Sequence, residues 1–292
     1  MGISIGAREY VEGLRDVLSL QFSLTDLDVK LAEQQVGGFT FINCNPARSI
    51  KNNDKIGERL FKHNVANALA EMIIINWEKE LIARELKQNH QYFDEQERHL
   101  IYDKVLRVLN NQTLGLPQVG YRASRKTKIV QKVLDYLEIN DKIILEGFIK
   151  FRLKDYSAEL RSAISLAVEE YLIEKEYHEF IRLLKYFVDI QEPKVDILHV
   201  LVKGNGGFQL YDHEHKLITS DFLEGFVVDI VDNEITYEDL LISALITIAP
   251  RFVVLHMHKY QETETLKTIR NVFGDRVSNC LDCELCNPLI KR

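Results

Sequence analysis

An α+β fold is what this sequence predicts, and three patterns predict it. Apolar residues alternate on either side of Gly37-Gly38 near the N-terminus, the signature of a hairpin. A helical apolar period then runs, with few interruptions, from Ile56 to Ile190. After Glu192-Pro193 alternation returns, with a second glycine-turned hairpin and a strand–helix–strand crossover. The expected organisation is a small N-terminal βαββ unit over 1–45 and a helical region with a central spine helix over 46–192. A C-terminal mixed α/β region over 193–279 and a cysteine-rich tail over 280–292 follow.

At 292 residues the chain has length for about two domains, and 46% hydrophobic against 28% charged residues is an ordinary core-forming balance. A net charge of −7 argues against a general nucleic-acid binder, although a local basic patch can override the total. The most apolar run, Leu240–Ala249, is too short to span a bilayer. Met1–Gly6 has no basic segment followed by an apolar one, so no secretory leader is expected, and Gly6 stands where a myristoylation signal wants Ser or Thr. The expected compartment is the cytoplasm, where thiols stay reduced.

Taken in order, Ile3–Ile5 reads as a short strand and Ala7–Phe22 as a helix facing inward through Val11, Leu14, Leu18 and Phe22. Val29–Gln35 and Phe39–Cys44 are the hairpin strands, and a polar loop over 45–55 follows. Leu60, Val65, Leu69, Met72, Ile73, Trp77 and Leu81 form the apolar face of the next helix. Asp94 with Glu97 predicts a capped helix start, leading to Ile101, Val105 and Leu109. Residues 110–121, with Gly115, Pro117 and Gly120, read as a loop, and Ser124–Leu137 as a helix.

The spine, Leu145–Ile190, carries two stripes. Ile149, Leu153, Tyr156, Leu160, Ala163, Ile164, Ala167 and Tyr171 share one face; Ile173, Tyr177, Phe180, Leu184 and Phe187 share another, roughly 160° around at 100° per residue. The charged bridge Glu174-Lys175-Glu176 marks a bend or a change of partner. Beyond it, Val195–Lys203 and Phe208–Asp212 are strands joined through Gly204–Gly207, and Leu217–Val231 fits either a helix or a strand. Thr236 opens a helix that Pro250 stops. Phe252–His258 is a strand, Thr263–Phe273 a helix closed by Gly274, and Arg276–Asn279 a last strand.

Chemistry concentrates in the tail. Cys280, Cys283 and Cys286 are three of the four cysteines, at successive C-x-x-C spacings that let all three sulfurs turn toward one ion. A tetrahedral site needs one more ligand. If the strands flanking Thr263–Phe273 are parallel neighbours, His258 ends one where Cys280 leaves the other, and His256 lies on the same face as His258. A Cys3His zinc site closed by His258 or His256 is therefore expected, with Cys44 as the competing fourth ligand. An iron–sulfur cluster is the alternative cofactor, but Asn287-Pro288 stands where a ferredoxin-type run continues to a further cysteine. Against any metal stands a tail of free thiols.

Other signals are weaker. Gly204–Gly207 lacks the Lys-Ser/Thr and the following helix of a phosphate loop and reads as a hairpin turn. His213 and His215 follow in a solvated turn, and His63, His90, His99, His178 and His199 are scattered singly. Arg122, Arg125, Lys126, Lys128 and Lys132 form a basic cluster able to track phosphates, but without interleaved aromatics they read as a solvated helix face. No nucleophile elbow, His-Glu-x-x-His or kinase set is present.

Glu146-Gly147-Phe148-Ile149-Lys150-Phe151-Arg152-Leu153-Lys154-Asp155-Tyr156, with Tyr171 and the run Glu174–Phe187, resembles the YtxC-like family of sporulation proteins. The resemblance implies a cytoplasmic protein of endospore-forming Firmicutes, with no assigned activity and no catalytic residues to carry over. The expected function is thus a sporulation-associated scaffold or regulator, with an unknown protein partner and a terminal structural metal site. The alternatives are a nucleic-acid-binding factor and a metal-dependent or redox enzyme at the Cys/His edge.

Overall fold

The computed structural model describes residues 2–25, 27–46, 55–110, 122–202, 208–218, 237–256, 263–280 and 283. Contacts divide the chain into two compact units, Met1–Leu172 and Ile173–Arg292. The boundary falls inside the spine rather than at 45/46 or 192/193.

The first unit contains the expected βαββ order: β1 (Ile3–Ala7), α1 (Val11–Leu24), β2 (Val29–Val36) and β3 (Phe39–Pro46). Gly37, at φ 61°, makes the β2–β3 turn that an L side chain would strain. β3 lies antiparallel to both β2 and β1, and a strand not anticipated from sequence, β4 (Lys142–Ile144), pairs parallel with β1. The sheet order is β2-β3-β1-β4. Ile3, Ile5, Ile42 and Cys44 join Leu14, Val65, Leu69 and Ile164 in one core, so the strands and the helical layer fold as one body.

The helical layer comprises α2 (Lys55–Met72), a π-helical turn Ile73–Trp77, α3 (Glu78–Asn89), α4 (Glu95–Asn110) and α5 (Arg122–Leu137). Phe61 rather than Leu60 faces the core; Leu60 is exposed, because the buried stripe of α2 runs through Phe61, Val65, Ala68 and Met72. α4 begins as the capping box predicts: Asp94 N donates to Glu97 Oε2 at 2.9 Å, and Glu97 N donates to Asp94 Oδ1 at 2.8 Å.

The spine is two helices, α6 (Leu145–Arg152) and α7 (Lys154–Ile190), broken at Leu153. α7 runs unbroken through Glu174–Glu176, so the charged bridge marks a change of partner and not a bend. Tyr156, Leu160, Ala163, Ile164 and Ala167 are buried in the first unit as expected. In the second unit the packed face is Ile181, Leu184 and Val188, while Ile173, Phe180 and Phe187 of the anticipated stripe are exposed. The stripe is rotated because the contacts of this half are set by the helix Glu264–Phe273: the Tyr177 hydroxyl lies 3.3 Å from Thr268 Oγ1 and accepts from Asn271 Nδ2 at 3.1 Å.

The second unit carries β5 (Ile197–Val202), β6 (Phe208–Tyr211), α8 (Tyr237–Ile248), β7 (Phe252–His256), α9 (Glu264–Phe273) and β8 (Val277–Asn279). Its sheet order is β6-β5-β7-β8, with the β5–β6 hairpin antiparallel and β7 parallel to both β5 and β8. The strand–helix–strand crossover is therefore as expected. Leu198, Val200, Val253 and Leu255 form one sheet face, buried with Leu245 and Ile248 of α8 and Leu266 and Ile269 of α9. Thr263 Oγ1 accepts from Leu266 N at 3.4 Å to cap α9, and Gly274 at φ 53° ends it. Among the described residues no helix is long and apolar enough to cross a membrane.

One buried ion pair holds the helical layer together. Arg125, 1% exposed, donates from Nε to Glu78 Oε2 at 3.2 Å and from Nη2 to Glu78 Oε1 at 3.3 Å, and its Nη1 bonds the Leu109 carbonyl. The Tyr156 hydroxyl also donates to Glu78; burial first, and the Glu78 charge second, raise its pKa and keep it protonated. Removing one partner strands the other. Glu78→Ala should cost about 3–5 kcal/mol, read from the urea midpoint, and the paired Glu78→Leu/Arg125→Met exchange much less. A single-variant loss well under this range would show the pair to be incidental.

A candidate metal centre in the second unit

The sheet brings together what the sequence separates. β7 ends at His256 and β8 at Asn279, and because the two are parallel with Leu255 opposite Asn279, the following residues leave from the same edge. Cys280 N donates to Leu255 O at 2.9 Å, extending that pairing by one residue and fixing Cys280 beside His256. Arg270 Nη2 donates to Asn279 Oδ1 at 2.7 Å and ties the end of β8 to α9. The two-residue gap then returns Cys283 to the same point: its Sγ lies 3.3 Å from His256 Nδ1.

The ligand atoms of His256, Cys280 and Cys283 all lie within 4.8 Å of one another. A tetrahedral zinc with bonds of about 2.3 Å to sulfur and 2.0 Å to nitrogen wants neighbouring ligands about 3.3–3.8 Å apart, so small side-chain rotations suffice. His256 is 1% exposed, and burial first, then His199 and His215, lower its pKa to about 4. It is therefore neutral at physiological pH, the form that binds metal. Cys280 and Cys283 are half-buried and free of disulfides.

A second histidine completes the surroundings. His199 of β5 sits opposite Val254 in the parallel pairing, hence on the same sheet face as His256. Its Nδ1 lies 2.9 Å from His256 Nε2. With Nδ1 of His256 directed at the thiols, this contact holds the other ring nitrogen as an outer-shell partner, fixing tautomer and ring plane. The exposed His215 ring packs edge-on against His199 at 4.9 Å. From sequence alone His199 is one of several scattered histidines and His215 part of a solvated turn. Alternation along β5 held the signal, but only the parallel pairing with β7 gives it meaning.

The remaining expectations fall differently. His258 and Cys286 lie outside the described residues. Cys44, the competing fourth ligand, is fully buried in the core of the first unit, where burial pushes its thiol up to about 12. Of the basic cluster on α5, Arg125 is buried against Glu78 and cannot reach a phosphate, so its place on a solvated face is corrected. Arg122 and Lys126 pair with Glu71, Lys128 with Glu159, and Lys132 with Asp155. With each cation already facing a carboxylate, the positive potential left for a nucleic-acid backbone is small.

The YtxC-like family matches residues 63–278. The chain belongs to the YtxC-like family. It is 27% identical over 199 residues to the Bacillus subtilis (strain 168) protein named "Uncharacterized protein YtxC", a span covering 66% of this chain and 67% of that one. No solved structure matches. The family match takes in His199 and His256 and stops two residues before Cys280.

The contrast between the two kinds of cysteine is directly measurable. In the folded, metal-free chain at about pH 8, iodoacetamide should modify Cys280 and Cys283 while Cys44 stays unmodified until denaturant is added, as read by peptide mass spectrometry. Equal labelling of Cys44 in the native chain would contradict its placement.

Proposed function

We propose that this chain is a non-enzymatic scaffold or regulator whose C-terminal sheet edge is built on a structural zinc site. His256, Cys280 and Cys283 supply three ligands, and Cys286 is the fourth by its C-x-x-C spacing. What supports the reading is the convergence of the buried, neutral His256 and two reduced thiols at the carboxyl ends of two parallel strands. His199, bonded to the far nitrogen of His256, supports a preorganised site. Zinc is favoured over an iron–sulfur cluster because an imidazole stands where a fourth cysteine would be needed. A cytoplasmic, sporulation-associated role rests on the family likeness.

A structural zinc contributes on the order of 10 kcal/mol to folding in small metal-dependent domains, enough to fix a short terminal strand such as β8. Protein purified without oxygen should be colourless and carry about one zinc per chain by elemental analysis. Cys283→Ser and His256→Ala should each lose the metal and melt at a lower temperature, and chelation of the wild type should lower its melting temperature to match. Brown protein containing iron and sulfide would replace zinc with a cluster, and a chain with neither metal, as stable after chelation as before, would overturn the proposal.

A further inference from the structure

The first unit contains a cleft of about 890 Å³ that the metal reading leaves unused. It opens where β1 and β4, a parallel pair, both end: Arg8 follows the last residue of β1, and Glu146 lies two residues past the last of β4. The carboxyl edge of parallel strands is where open α/β sheets seat their ligands, because chain turns and helix starts there leave backbone and side chains facing a common space. One wall is apolar, made by Trp77, Leu81 and Ile149. The lining carries charge of both signs, Arg8, Arg84, Lys150, Lys154 and Arg161 with Glu9, Glu80, Glu85 and Glu146. Lys154, Ser157 and Arg161 stand at successive three- and four-residue steps along α7, one helix face, and Lys150 precedes them on α6.

Four further observations bear on the cleft. Lys150, Lys154 and Arg161 have no ion pair among the described residues, whereas each cation of α5 faces a carboxylate. Glu146 Oε1 accepts from Arg8 N at 2.7 Å, which ties the chain after β1 to the start of α6; its Oε2 is shut off from solvent and has no partner. The elements that shape the cleft carry local strain: Tyr10, just beyond Arg8 and Glu9, is left-handed at φ 57° with its ring edge-on to Trp77 at 5.1 Å, and Trp77 closes a π-helical turn. The Arg8 guanidinium lies over the Phe39 ring at 4.3 Å, which holds its charge at the mouth.

An occupant must therefore bring negative charge to Lys150, Lys154 and Arg161 and a flat apolar part to the Trp77 wall. A nucleotide has both, as phosphate and base, and the volume suits one such molecule rather than a polymer. We propose that the cleft at the carboxyl ends of β1 and β4 is a nucleotide-binding site. It is independent of the metal centre, since every residue involved belongs to the first unit. The segment Glu146–Tyr156, which carries the family resemblance, supplies much of its wall.

Trp77 is the single tryptophan of the chain, so its emission reports on the wall directly. Titrating the full-length protein with ATP, GTP, CTP and UTP should give a saturable change for at least one, confirmed by calorimetry. The exposed double variant Lys154→Glu/Arg161→Glu should weaken that binding by about tenfold or more while keeping the wild-type melting temperature. Failure of all four nucleotides to bind would overturn the proposal. So would tripolyphosphate binding as tightly as the best nucleotide, which would reduce the cleft to a general anion sink, or undiminished binding by the double variant.

Discussion

The parallel register of β7 against its two neighbours is the constraint on which the second unit depends. Pairing Leu255 with Asn279 sets Cys280 next to His256, and pairing His199 with Val254 sets a second imidazole on the same face. A shift of one residue in either strand would turn those side chains to the opposite face, into the layer occupied by Leu198, Val200, Val253 and Leu255. Register is secured by that apolar layer, which buries only when Val253 and Leu255 point toward α8 and α9. The hydrophobic pattern thus places the polar cluster: what faces away from the core is brought together by what faces into it.

The first unit is organised by a different interaction. Arg125 and Glu78 are 47 residues apart in sequence and meet in an interior that would otherwise exclude both. The pair persists because the remaining hydrogen-bonding capacity is used, by the Leu109 carbonyl and the Tyr156 hydroxyl. Glu78 stands directly after the π-helical turn, and the same turn presents Trp77 to the cleft. An extra residue inserted into a helix re-aims the side chains that follow it, so packing on one side and an open wall on the other come from one local irregularity.

Much of this was legible in the sequence, and the parts that were not share a cause. Local chemistry read correctly: the Gly37 turn, the Asp94/Glu97 capping box, Thr263 and Gly274 at the ends of α9, and the crossover that makes β7 and β8 parallel. Each depends on residues a few positions apart. β4 escaped notice because three residues are too few to show a period, and the break at Leu153 because no Pro or Gly announces it. Arg125 looked like one more surface cation, since its partner lies on another helix. The surroundings of His199 and Cys44 escaped notice for the same reason. Strand pairing brought the first to His256, and core packing sealed the second away.

The convergence of an imidazole and cysteine sulfurs on one ion is tested most directly by X-ray absorption at the zinc edge of the metal-loaded, full-length protein. The first shell should contain sulfur at about 2.3 Å together with nitrogen at about 2.0 Å, with the outer-shell scattering of an imidazole ring. A shell of light atoms alone, with no sulfur, would contradict the site and the reading built on it.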